Sequence, residues 1–336
     1  IEVPRTAMIM GLPAILCFLL VDKPIRYGLM LGALFFASTL LNTNAEGDVV
    51  HVNIDGKPFT DFIMKSADSP RPYLHPLRSA SGKIVTRQFP MVKGIEGEAK
   101  DHQHHRGVFF GHQDVNKINF WANEFDYKPK NLGKIQLKEV NQVKGGKKSG
   151  TIVATFDWNG PDGKLVLTEK RTMTFHADKE LRTIDFDFLL IPNGKVVFGD
   201  EKDGLFAVRV HRGLQEEKSN GVMTNDSGAT TEKQVWGKPS KWIDYAGEVE
   251  GEKMGLAMFD HPGKNRHPQR WHARGYGLFS INPFCLSAFP NDKTKNGEYV
   301  LEDKSTLRLR YRMVIHPGDT QSGKVADLYN KYASRK

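Results

Sequence analysis

Apolar and polar residues alternate along most of this chain. In "TIDFDFLLI", Ile184, Phe186 and Phe188 fall on one side and Asp185 and Asp187 on the other. In "TLRLRYRMVIH", Leu307, Leu309, Tyr311, Met313 and Ile315 oppose Arg308, Arg310 and Arg312. A period of two marks half-buried antiparallel strands. Turn dipeptides separate such runs: Asp55-Gly56, Asn159-Gly160, Asp162-Gly163, Asn193-Gly194, Asn220-Gly221 and Asn296-Gly297. "TIVATFDW", "KLVLTEKRTMTF" and "LRTIDFDFLL" predict a three-stranded meander. One helix is predicted, in "KVADLYNKYA" near the C-terminus, where Val325, Leu328, Tyr329 and Tyr332 form an apolar stripe. The pattern therefore predicts an all-β protein, a large antiparallel β-sandwich with a short C-terminal helix. No repeat, low-complexity tract or long linker interrupts residues 46–336, which are expected to form a single domain.

The first 45 residues break this pattern. "AMIMGLPAILCFLLV" and "YGLMLGALFFASTLL" are apolar runs split by Lys23 and Arg26 and followed by small and polar residues. This is the layout of a secretory signal cut near Ala45, or of an uncleaved N-terminal membrane anchor. The protein is accordingly expected to be secreted or periplasmic, touching a membrane only through this segment. Of the two cysteines, Cys17 falls in it, so the remainder has Cys285 alone and relies on a packed core. Cys285 reads as a small buried hydrophobe. The net charge of +9 is spread over dispersed lysines without a nucleic-acid-binding motif, which argues for a solvated basic surface and against a nucleic-acid partner.

Three segments concentrate chemistry. "DHQHHRGVFFGHQDVNKINFW" carries four of the 12 histidines, His102, His104, His105 and His112, with Asp101, Asp114 and Glu124 nearby. Imidazoles and carboxylates serve a divalent metal or acid–base catalysis equally well. The spacing matches no zinc signature. If the segment from His104 to His112 is one strand, His104 and His112 share a face and His105 opposes them. A metal held by His104, His105 and His112 and a proton-transfer role for His104 and His112 both stay open, as does plain turn capping.

"GDEKDGLFAVRVHRG" places Asp200, Glu201 and Asp203 before a strand bearing Arg209 and His211 on one face, a pair suited to an anionic or polyhydroxylated ligand. "MFDHPGKNRHPQRWHARGYGLFSINPF" gathers His261, His267 and His272 near Trp271, Arg274, Tyr276 and Asn282. Aromatic rings beside Arg, His and Asn suit sugar recognition, although Trp271 and Tyr276 could equally be core aromatics. "VWGKPSKWIDYAG" adds Trp236, Trp242, Asp244 and Tyr245. The chain has no nucleophile elbow, P-loop or dinucleotide-binding glycine motif.

These segments, with "RPYLHPLRSASGKIVTRQFP", resemble in order the motifs of a bacterial family of unknown function labelled "methane oxygenase PmoA", over about residues 70 to 315. Gln103 stands where that family's motif has Pro. The label would imply a copper or iron site. The strand pattern also resembles the large sandwich of galactose mutarotase-like proteins, which implies carbohydrate as ligand. The leading expectation is therefore a carbohydrate-active enzyme. His104, His112 and His272 would act as acid or base and Asp114, Glu201 or Asp244 as the carboxylate. Arg71, Arg106, Arg209, His211, Arg274, Tyr276 and Asn282 would bind substrate, with Trp271 stacking on the sugar. A non-catalytic carbohydrate-binding protein and a metal-dependent oxygenase or lyase are the alternatives.

Overall fold

The computed structural model describes residues 41–122, 131–263 and 266–334. Two eight-stranded antiparallel sheets make up the fold. Sheet I runs, in spatial order, β1 (Leu41–Glu46), β2 (Val49–Ile54), β3 (Lys57–Ile63), β4 (Tyr73–Leu74), β5 (Val108–His112), β11 (Gly204–Arg209), β16 (Leu278–Asn282) and β15 (Arg270–Ala273). Sheet II runs β12 (Val222–Asn225), β13 (Trp242–Val249), β14 (Glu252–Asp260), β18 (Leu307–Pro317), β9 (Arg182–Pro192), β8 (Leu165–His176), β7 (Ser149–Asn159) and β6 (Lys134–Lys144). A small ribbon pairs β10 (Val196–Phe198) with β17 (Tyr299–Leu301). The all-β sandwich expected from the alternation is therefore the fold, and β7, β8 and β9 form the expected meander.

The alternating strands read as predicted because one face of each is dry. Ile184, Phe186 and Phe188 of β9 and Leu307, Leu309, Tyr311, Met313 and Ile315 of β18 all enter the core. Across the sandwich they meet the inner face of sheet I: Phe188 stacks on Phe110 at 4.1 Å between ring centroids, and Tyr311 on Phe206 at 5.2 Å. On the outer face of sheet II, Arg312 pairs with Asp185 directly opposite, at 2.5 Å, and Arg308 pairs with Asp187. The Asp55-Gly56 turn joining β2 and β3 has both residues at positive φ, 53° and 73°, the geometry that makes such dipeptides hairpin turns.

The C-terminal helix, Val325–Ala333, lies against the outer face of sheet II. Val325, Tyr329 and Tyr332 cover Trp242, Ala257, Phe259 and Val314, and Leu328 is only partly buried at the margin. Among the described residues no helix is long and apolar enough to cross a membrane. The expected signal or anchor lies almost wholly outside the described residues, and its expected cut near Ala45 falls within β1. Cys285 is buried and unbonded, its thiol pushed up to about 12 by burial, as suits a small packing residue.

Candidate functional site

Sheet I buries its outer face at the centre as well as its inner one. Tyr73, Phe109, Trp121, Ala207 and Leu278 form a second apolar cluster there. Loop 101–105 folds over this cluster as a turn, with the amide of His105 donating to the carbonyl of His102. His102 has a φ of 44° and Gly107 one of 48°. A Cβ on Gly107 would stand 2.0 Å from the carbonyl oxygen of Leu74, so only glycine permits the strand to start here.

Because the strand begins at Val108, His104 and His105 do not belong to it, and the expected face-sharing of His104 with His112 fails. Two buried arginines hold the turn instead. Arg71 donates to the carbonyls of His104, Ala122 and Phe120, at 2.7, 3.2 and 3.4 Å. Arg87 donates to those of Asp101, His102 and His105, at 2.7, 2.8 and 3.1 Å. Arg71 is thus a scaffold residue and not the substrate ligand expected of it.

The turn presents its rings as a cluster. His104 and His105 meet at 4.2 Å, His102 stacks on His105 at 4.8 Å, and Tyr276 stacks on His102 at 5.6 Å. Beside them opens a cleft of about 520 Å³, lined by His102, His104, His105, Asp203, His272 and Tyr276 together with Gln113, Lys202, Arg274 and Leu278. His272 comes from β15, which places it on the same outer face because Trp271 and Ala273 point into the core. Arg209 comes from β11 on that face too, its guanidinium 4.5 Å from the Tyr276 ring centroid. Arg274 also approaches the ring, at 5.4 Å from its centroid, and ion-pairs with Glu232 at 2.8 Å.

Hydrogen-bond partners set the protonation of three histidines. An indole N–H and a guanidinium can only donate, and a carboxylate only accepts. Trp236 Nε1 donates to His272 Nδ1 at 2.8 Å, so the neutral His272 ring carries its proton on Nε2, 3.7 Å from Asp203 Oδ1. Arg209 donates to His105 Nδ1 at 3.2 Å, so His105 is also protonated on Nε2. His102 is the reverse. Its Nδ1 donates to Asp101 Oδ2 at 2.5 Å, leaving Nε2 as the acceptor on a half-exposed ring.

Burial pushes His272 down to about 3, Lys202 and Arg274 adding to the shift and Asp203 opposing it. Burial and the nearby His104 and Arg209 hold His105 well below the usual histidine range. Both are therefore neutral near neutral pH. Burial raises the Asp101 carboxyl, but the His102 hydrogen bond and the Arg209 and Arg87 charges outweigh it and hold the group ionised. Burial pushes the Tyr276 phenol up to about 12.

Several expected site residues fall elsewhere. His112 points to the inner side, packing on Phe198 and Phe284 and bonding the carbonyl of Gly199 at 2.8 Å. A Cβ on Gly204 would stand 2.2 Å from its Nδ1, so this glycine makes room for the ring. Burial holds His112 down at about 4. His104, His105 and His112 therefore cannot share a metal ion. Among the described residues no three His, Cys, Asp or Glu side chains are grouped to hold one.

Asp244 sits on sheet II, bonded to His316 at 3.1 Å and Thr320 at 2.7 Å, far from its expected role. Trp271 is fully buried and donates to the carbonyl of Ser240, so it cannot stack on a ligand. His211 follows the end of β11 and caps a 3-10 turn at Arg212–Leu214. Arg106 is buried against Tyr73 and pairs with Asp68. Asn282 donates to the carbonyls of Glu201 and Lys202, so it shapes the loop that carries Asp203.

Asp114 pairs with Lys117, and Glu201, raised by burial and by Asp114 and Asp203, does not line the cleft. Glu124 lies outside the described residues. Gln113 and Lys202 line the cleft without being singled out in the sequence, whereas His102, Asp203 and Trp236 stand in the chemistry-rich segments but carry no predicted role. Asp203 was legible: it immediately precedes β11 with the parity of Arg209.

No curated protein matches the chain. Solved structures that resemble it include a galactose mutarotase-like protein from Clostridium acetobutylicum, at 9% identity and a TM-score of 0.43 over 84% of this chain and 99% of that one. A GH36 alpha-galactosidase from Geobacillus stearothermophilus is similar at 11% identity and a TM-score of 0.44, over 88% of this chain but 43% of the other. A galactose 1-epimerase from Lactobacillus acidophilus follows at 8% identity and 0.36, over 84% and 99%. Likenesses this distant carry no inference about activity, and none of them bears the methane oxygenase label suggested by the motifs. Residues 49–330 match a family described only as of unknown function, DUF6807, and the chain belongs to it.

Proposed function

We propose that the cleft on the outer face of sheet I binds a carbohydrate and transfers protons at one of its hydroxyl groups, in a protein that works outside the cytoplasm. The carrying observation is the pairing of opposite tautomers at one cleft. His102, oriented by Asp101, offers a lone pair on Nε2, and His272, oriented by Trp236, offers an N–H on Nε2. A base backed by a carboxylate is the arrangement that accepts a proton and stabilises the resulting imidazolium. His272, held down near 3, is a poor base and serves as a hydrogen-bond donor.

The rest of the lining suits a polyol. Tyr276, its ring already packed against His102, Arg209 and Arg274, supplies its phenol, and Gln113, Lys202, Asp203 and Arg274 supply further donors and acceptors for hydroxyls. In the simplest reaction this set supports, His102 takes the proton of an anomeric hydroxyl. The ring C–O bond then opens, and the ring oxygen receives a proton from the Tyr276 phenol or the Lys202 ammonium. Anomers interconvert with no co-reactant.

Titration calorimetry against a panel of mono- and oligosaccharides, with anomer exchange followed by NMR, tests this reading. The wild type should bind at least one sugar, Tyr276→Ala should weaken it by about tenfold, and His102→Ala should keep binding while losing about 100-fold in rate. Binding without any rate would make the protein a carbohydrate-binding module. A wild type that binds no sugar would refute the proposal.

A further inference from the structure

The segment "VWGKPSKW" contributes no residue to the cleft lining, yet it reaches the site through one atom. Trp236, just beyond the short helix Glu232–Val235, points its indole N–H at His272 Nδ1 from 2.8 Å. The contact is held on both sides. Phe289 packs edge-on against the Trp236 ring at 5.3 Å and stacks on the His272 ring at 5.8 Å. Gly237 and the backbone of β15 tie the same segment down, the amide of Gly237 donating to the carbonyl of Trp271 at 2.7 Å and Arg270 donating to that of Gly237 at 2.7 Å. His272 is neutral and almost completely buried, and the Trp236 N–H, in direct hydrogen-bond contact, fixes its tautomer, with the Asp203 carboxylate favouring the same one from 3.7 Å.

The consequence lies at the other ring nitrogen. Its N–H stands 3.7 Å from Asp203 Oδ1, too far for a direct hydrogen bond and close enough for one ligand atom to meet both. A donor and an acceptor side by side match a hydroxyl, which accepts from the imidazole while donating to the carboxylate. They do not match an ether or carbonyl oxygen, which cannot donate to Asp203, nor a carboxylate, which Asp203 would repel. We infer that Trp236 is a positioning residue for specificity: it holds His272 as the Nε2–H tautomer, so that His272 and Asp203 together read a single hydroxyl group of the ligand. This inference rests on the carbohydrate reading of the cleft for the nature of the ligand, but the tautomer itself does not.

Long-range nitrogen–proton NMR of the full chain labelled at histidine, with the His272 signals assigned through His272→Gln, reports the tautomer without any ligand. The wild type should show His272 protonated on Nε2 alone, and Trp236→Phe, which keeps the ring against Phe289, should shift it to a mixture. A His272 protonated on Nδ1 in the wild type, or one unchanged in Trp236→Phe, overturns the inference.

The ligand arm uses the sugars that bind in calorimetry, each beside its singly deoxygenated analogues. One deoxy position should lose at least about tenfold in affinity for the wild type, and that discrimination should collapse in Trp236→Phe and in Asp203→Asn. Equal affinity for every deoxy analogue overturns the reading of a hydroxyl. A wild type that binds no sugar while showing the expected tautomers would refute the carbohydrate reading and leave the positioning by Trp236 standing.

Discussion

At the residue scale, this site depends on buried arginines. Arg87 is fully buried and supplies four hydrogen bonds to the turn that carries the histidines, including one to Asp101 Oδ1 at 3.0 Å. A loop turned away from regular pairing leaves its carbonyls without backbone donors, and a planar guanidinium satisfies several of them at once. Lysine cannot, since its ammonium is a point donor on a flexible stem. Arg87→Lys should therefore cost at least about 2 kcal/mol in denaturant unfolding and weaken ligand binding as the turn loosens. Retained stability together with retained binding would show that the turn is held by other means. His112 makes the opposite case: it is buried and chemically plausible, but it faces phenylalanines. His112→Ala should lower stability by about 1–3 kcal/mol and leave the proton-transfer rate per bound ligand unchanged.

At the element scale, the two sheets are joined through aromatic pairs. Phe110 of β5 stacks on Phe188 of β9 at 4.1 Å and packs edge-on against Trp158 of β7 at 5.8 Å, so one side chain links three strands of the two sheets. β5 is also the strand from which the histidine turn departs. Phe110→Ala should cost about 3–5 kcal/mol, as expected for a large cavity in a packed core, measurable as a lower denaturant midpoint. The C-terminal helix is the second element with a checkable role. A chain ended before Val325 would uncover Trp242, Phe259 and Val314, and should lose about 1.5–3 kcal/mol for each large apolar side chain it ceases to bury. It should also self-associate in light scattering, whereas a monomer of unchanged melting temperature would show that the helix is dispensable.

At the scale of the whole molecule, the charge state of the interior predicts how stability follows pH. Burial holds His75 and His112 at about 4 and His272 at about 3, and depresses His105 and His211 as well. In the unfolded chain these rings protonate near 6.5, so below that pH the unfolded state binds more protons than the folded one. Stability should therefore be greatest above about pH 6.5 and fall as the pH drops toward about 4, by up to about 1.4 kcal/mol per histidine per pH unit. His316 works the other way. Burial lowers it, but its pairing with Asp244 outweighs that and raises it, so its contribution is present at low pH and lost as the pH rises through its folded value. Five depressed groups should outweigh one raised group. Thermal melts between about pH 7 and pH 4.5 check this, and a flat profile would contradict neutral buried histidines.

Alternation alone determined the fold class, the meander and the C-terminal helix, because burial of one strand face and of one helix stripe is written in period two and period 3.6. It also located the chemistry to the right segments, since histidines and a tyrosine of those segments do line the cleft. It could not assign the residues within them. Parity predicts faces only while a strand continues, and here the strand begins at Val108, three residues after His105, so the face expected of His104 did not exist. Trp271, Asp244 and His112 have the composition of a site and the surroundings of a core, a difference that depends on contacts distant in sequence. The same holds for His272, whose proton position is set by Trp236 from 36 residues away. Tertiary structure decided which rings face the cleft and which nitrogen of each carries the proton, because both depend on neighbours that only folding brings together.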